Sequence, residues 1–102
     1  MLSVSIRQDA ERVIVVPVGE LDLVSVDTLA AHLAAATDGN VARIEVDLSG
    51  VTFVDSVGIH ALLKGRRLAE AGGKDYAVNG ADGLVREVLE LTGVWHHLTG
   101  LP

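Results

Sequence analysis

Apolar and polar positions alternate at the start of the chain, where Leu2, Val4 and Ile6 are separated by Ser3, Ser5 and Arg7. A period of two is that of a half-buried β-strand. After a short polar connection, Gln8 to Glu11, the run from Arg12 to Val18 is almost continuously apolar, which predicts a strand covered on both faces. The short link predicts an antiparallel pair. Pro17 cannot donate to a ladder, so it is expected at a strand end or an unpaired position. Gly19 to Asp22 reads as the strand exit. Ser25 is a good N-cap for a helix reaching about Thr37, with Val26, Leu29, Leu33 and Ala36 on one face. Asp38-Gly39-Asn40 ends it, with Gly39 or Asn40 able to take the left-handed conformation.

Ile44, Val46 and Leu48 alternate with Glu45, Asp47 and Ser49, so this stretch is a central strand, parallel to the one before the helix by a right-handed crossover. A short loop carrying the apolar pair Phe53-Val54 then leads to a helix that opens on Asp55-Ser56 and runs to about Ala71. Gly58, Ala61, Leu62, Gly65 and Ala69 share its inner face. Gly72-Gly73 stops it. Lys74 to Asn79 reads as a strand, and Asp82 can cap a last helix with Leu84, Val85, Val88, Leu89 and Leu91 as its apolar face. Thr92-Gly93 ends that helix, and Val94 to Leu98 folds a short turn over the core with Trp95 as a lid. The predicted order is β-β-α-β-α-β-α, an α/β fold with one mostly parallel mixed sheet.

As an N-cap, Ser56 would contribute about 1 kcal/mol relative to alanine. Its hydroxyl would also lie among unpaired backbone N–H groups at the positive end of a helix. That is a favourable place for an anion, including a phosphate attached to Ser56 itself. Asp22 and Asp55 each sit at a strand exit, where turn and cap aspartates are common. Parallel strands deliver their C-terminal ends to one edge, so Asp22, Asp55 and Ser56 are expected to be neighbours.

The run Asp47-Leu48-Ser49, then Phe53-Val54-Asp55-Ser56-Val57-Gly58, resembles the signature of the STAS domain, in its anti-sigma factor antagonist branch. Gly19-Glu20-Leu21-Asp22 is similar to the family's second motif. Leu89-Glu90-Leu91-Thr92-Gly93 resembles its last helix. The resemblance spans nearly the whole chain and implies one STAS domain over residues 1–102, with a sheet of about four strands and helices mainly on one side. It also implies a function. Unphosphorylated, the protein would bind an anti-sigma factor with serine kinase activity, which supplies the ATP. Phosphorylated on Ser56, it would release that partner, so that sigma-factor-dependent transcription is regulated. A serine phosphatase is a further partner compatible with the cycle. Asp22, Asp55, Ser56, Val57, Gly58, Ile59 and His60 are carried over as the partner-facing positions. Val57 stands where a small polar residue is common in the family, and Ile59-His60 replaces a frequent Leu-Gly. An alternative is a structural STAS subunit of a stress-signalling scaffold or a lipid-transporting ATPase complex, without a regulated serine.

Composition narrows the classes. Among 102 residues there is no cysteine, which excludes disulfides and thiolate metal sites and fits a cytoplasmic location. The formal net charge is −6, the opposite of the balance that nucleic-acid binding normally needs. No stretch approaches the roughly 18 apolar residues of a membrane span, so no membrane insertion is expected. An enzyme is not expected either. There is no Gly-x-Ser-x-Gly elbow, and no motif ties a histidine to Ser56. His96-His97 are adjacent and lack the His-x-x-x-His spacing of a helical metal pair. Gly72-Gly73 follows a helix instead of opening one, so it is no nucleotide loop, and no cofactor is implied.

Overall fold

The computed structural model describes residues 1–100. The elements are β1 (Leu2–Gln8), β2 (Arg12–Leu21), α1 (Val26–Asp38), β3 (Arg43–Asp47), β4 (Gly50–Val54), α2 (Ser56–Ala71), β5 (Asp75–Asn79), α3 (Gly83–Leu91) and α4 (Trp95–Thr99). β1 and β2 pair antiparallel, and β2, β3 and β5 follow in parallel. The stretch expected as a loop before α2 is instead a strand, β4, which pairs in parallel with the C-terminal half of β2.

β3 and β4 therefore lie end to end along one side of β2. β3 reaches as far as Val15, and β4 takes over at Val18. Pro17 falls opposite the break between them, where β2 has no parallel partner, while Val4 faces it across the antiparallel pair. A residue without an N–H is tolerated where the ladder is interrupted. Further along, Val51 aligns with Gly19 and Phe53 with Glu20, which leaves Thr52 as an extra residue in β4. Such an irregularity bends the pair. Gly19 meets it with a φ of +117°, a conformation that side chains disfavour.

One sheet face carries Val13, Val15, Ile44, Val46 and Val78, all in a single buried cluster. The same cluster holds Leu29 and Leu33 of α1, Leu62 of α2, Leu89 of α3 and Leu98 of α4. All four helices thus pack on that face, as the resemblance implied, so the apolar run of β2 is not covered by helices on both faces as its spacing had suggested. The other face is polar where β3 crosses it. Glu45 is buried there and accepts from Arg12 at 3.0 Å and Arg43 at 3.1 Å, so its charge is paired on both sides. The Tyr76 hydroxyl joins β5 to α2 by donating to the Leu62 carbonyl at 2.8 Å, and burial pushes its pKa up.

Several local expectations change. Gly39 has a φ of −78° and no other residue near it takes a positive φ, so α1 does not end in a left-handed cap. On α3 only Val85 and Leu89 are buried, while Leu84 and Leu91 remain 56% and 79% exposed. The helix offers the core a stripe narrower than its count of apolar residues suggested. Trp95 is half-buried against the core, with the Arg86 guanidinium 4.8 Å from its ring centre, the geometry of a cation–π contact.

Candidate functional site

β2 and β4 end side by side, with Leu21 aligned to Val54. The next residue of each strand is an aspartate, Asp22 and Asp55. The Leu21 carbonyl accepts the Asp55 N–H at 3.2 Å, which fixes the two exits against each other. The expected meeting of Asp22, Asp55 and Ser56 at the carboxyl edge of the sheet is therefore what the fold produces.

Each aspartate is an acceptor for backbone. Asp55 has an extended backbone, and its Oδ1 accepts the Gly58 N–H at 2.9 Å. Asp55 is thus the N-cap of α2, and Ser56 is its first helical residue, not the cap that its sequence position suggested. Either residue type can cap, but only the one with non-helical φ and ψ points its oxygen back at the N3 donor. Ser56 is exposed, and its hydroxyl makes no hydrogen bond among the described residues. One donor of the helix tip, the Gly58 N–H, is already engaged by the Asp55 carboxylate.

Asp22 organises the β2–α1 loop. Its Oδ1 accepts the N–H groups of Val24 at 3.0 Å and Ser25 at 3.1 Å. Ser25 does not cap α1 through its side chain. Its hydroxyl donates instead to the Glu20 carbonyl at 2.7 Å and accepts the Asp22 N–H at 3.0 Å. Sequence reasoning missed what this loop displays, because no periodicity singles out Leu23 and Val24 and residue type alone does not mark them as exposed.

The other expected partner-facing residues divide by burial. Val57 is half-buried and His60 exposed, both at a cleft of about 260 Å³ between α1 and α2 that also touches Asp27 and Lys64. Gly58 and Ile59 are buried. Ile59 cannot present its side chain to a partner, since it belongs to the core cluster. Gly58 acts through its lack of one. A Cβ there would lie 2.7 Å from the Leu21 carbonyl oxygen and 2.9 Å from Val54 Cγ2. Only glycine lets the first turn of α2 sit this close to the strand ends.

The remaining histidines lie away from this edge. His32 Nδ1 bonds the Thr28 carbonyl at 2.7 Å within α1, and Arg66 donates to the His97 carbonyl at 2.9 Å near α4. Among the described residues no group of three His, Cys, Asp or Glu could hold a metal ion, and no helix is long and apolar enough to cross a membrane.

Comparison with known proteins returns the same architecture. The fold matches that of the anti-sigma factor antagonist SpoIIAA in its unphosphorylated form, at 24% identity and a TM-score of 0.80, over 95% of this chain and 86% of that one. The phosphorylated form of SpoIIAA from Bacillus gives 24% identity and a TM-score of 0.71, over 90% and 85%. An anti-sigma factor antagonist from Mycobacterium paratuberculosis gives 22% identity and a TM-score of 0.86, over 96% and 83%. No curated protein matches the chain. The family model described as "Mlab, STAS domain" matches residues 4–100. With that match over almost its whole length, the chain belongs to the STAS domain family.

Proposed function

We propose that this protein is an anti-sigma factor antagonist switched by phosphorylation of Ser56. The observation that carries the reading is an exposed, unengaged serine hydroxyl at the first position of α2, flanked by Asp55 and set beside Asp22 at the sheet edge. The likeness to SpoIIAA in both its unphosphorylated and phosphorylated forms supports it.

The local geometry supplies a mechanism. A phosphate on Ser56 adds roughly −1.5 to −2 charge. The inner N–H donor at the helix tip is already engaged by Asp55, so the new charge stands outward beside that carboxylate. The free protein tolerates this in water. A docked partner would have to strip water from the phosphate, and it would bring the phosphates of its own bound nucleotide toward it. Stable docking and a phosphate already on Ser56 then exclude each other without a change of fold. The serine kinase activity and the ATP belong to the anti-sigma partner, a phosphatase resets the serine, and the cycle runs in the cytoplasm. Val57 and His60 border Ser56 and set which partner fits.

Peptide mapping with intact-mass analysis of protein from its native cells tests this. The reading expects a single phosphate on Ser56 in some growth states and none in others. Absence of phosphate in every state would refute it.

The family model's description does not name an anti-sigma antagonist, and that favours one second reading. In it, the chain is a structural STAS subunit of a larger scaffold or transport assembly, and Ser56 is never modified. Constant co-purification with a large complex, with Ser56 always bare, would favour it.

A further inference from the structure

The β2–α1 loop places two aliphatic side chains in water, Leu23 at 71% exposure and Val24 at 93%. They are not on a loose segment. Asp22 Oδ1 holds the N–H groups of Val24 and Ser25, and the Val26 N–H bonds the Asp22 carbonyl at 2.8 Å. Through Ser25 Oγ the loop is also pinned to the Glu20 carbonyl. Exposed aliphatic surface on a rigid loop is an unfavourable arrangement for the free protein, yet it loses little conformational entropy on binding. The loop is continuous with the Ser56 turn through the Leu21–Asp55 hydrogen bond. Three carboxylates, those of Asp22, Asp27 and Asp55, belong to the same edge.

We infer that Leu23 and Val24 form an apolar prong that enters a hydrophobic pocket, rimmed by Lys or Arg, on the partner that reads Ser56. The inference rests on the reading of Ser56 given above and adds the source of affinity to it. Ser56 decides whether the partner can land, and the prong holds it once landed. The carboxylates around the prong speed the encounter and select a basic rim.

The test uses the full chain. Ser56→Ala and Ser56→Asp forms serve as baits in extract of the source cells, and the protein retained by the first and lost from the second is identified and purified. It is then titrated calorimetrically with wild type, Leu23→Ser, Val24→Ser and, as a control, Leu91→Ser at the end of α3. Leu23→Ser and Val24→Ser are expected to weaken binding about tenfold or more, the loss of one buried aliphatic side chain. Leu91→Ser should stay within about twofold of wild type by the same arithmetic. Urea midpoints of all three should match wild type, because each side chain is exposed. Wild-type affinity in both prong variants, with Ser56→Asp still impaired, would overturn the prong and leave the serine switch standing. If no protein distinguishes Ser56→Ala from Ser56→Asp, the switch falls first and the prong with it.

Discussion

Leu21 and Asp55 are joined by a 3.2 Å hydrogen bond from the Asp55 N–H to the Leu21 carbonyl, and this one contact couples the two strand exits that build the site. The same carbonyl oxygen is what a Cβ on Gly58 would strike, at 2.7 Å. The position of Ser56 is thus set by backbone, through a glycine that lets α2 approach and an aspartate that caps it.

Gly58→Ala should lower stability by about 1–3 kcal/mol, the usual penalty for forcing extra volume into a packed site. Helix propensity alone would favour alanine over glycine by up to about 1 kcal/mol, so the sign discriminates between the two effects. Urea denaturation reads it. A stabilised Gly58→Ala would contradict the close approach of α2 to β2.

Asp55→Ala should destabilise the fold by about 1 kcal/mol through loss of the α2 cap. Ser56→Ala should stay within about 0.5 kcal/mol of wild type, since its exposed hydroxyl engages nothing here. Thermal or urea unfolding of the pair separates the cap from the switch. Equal losses at both positions would mean that Ser56 shares the capping role.

Acid sensitivity is expected at the β1–β2 turn. Asp9 accepts the N–H groups of Glu11 and Arg12, both at 3.0 Å, and these bonds followed by the Arg12 side chain hold its carboxyl below the ordinary value. A depressed folded-state pKa contributes stability above the unfolded value and loses it as pH falls through the folded one. The advantage of wild type over Asp9→Asn should therefore be present at neutral pH and shrink on acidification below about pH 4. A difference between the two proteins that stays constant from neutral to acid pH would exclude this role for Asp9.

Glu45 tests how the helix-free face of the sheet is held. Its carboxylate bridges Arg12 and Arg43, whose side chains are 46% and 44% exposed. Because both arginines can rehydrate, Glu45→Ala should cost about 1 kcal/mol, less than breaking a fully buried pair. Raising salt should narrow the gap between the two proteins in urea unfolding. A gap that widens with salt would contradict the ion-pair account.

The parts of the fold legible in the sequence were those with long, regular spacing. Alternation at Leu2, Val4 and Ile6 and at Ile44 and Val46 marked strands, and the small residues Gly58, Ala61, Gly65 and Ala69 marked the buried side of α2. β4 was not legible, because Thr52 is an inserted residue that breaks the period of two within a five-residue strand. Asp55 and Ser56 were both good caps by type, and only φ and ψ could assign the role. Leu23 and Val24 were overlooked because an apolar residue is taken for core unless its surroundings are known. Ile59 erred in the opposite direction, counted with a surface motif while its side chain fills the core.

The affinity of the proposed anti-sigma partner, once purified, for this chain, measured with Ser56 bare and with Ser56 stoichiometrically phosphorylated, tests the central claim most directly. The account predicts tight binding of the bare protein and a loss of at least about a hundredfold on phosphorylation, some 2.7 kcal/mol, with the fold unchanged by circular dichroism. Equal affinity of the two forms would contradict it.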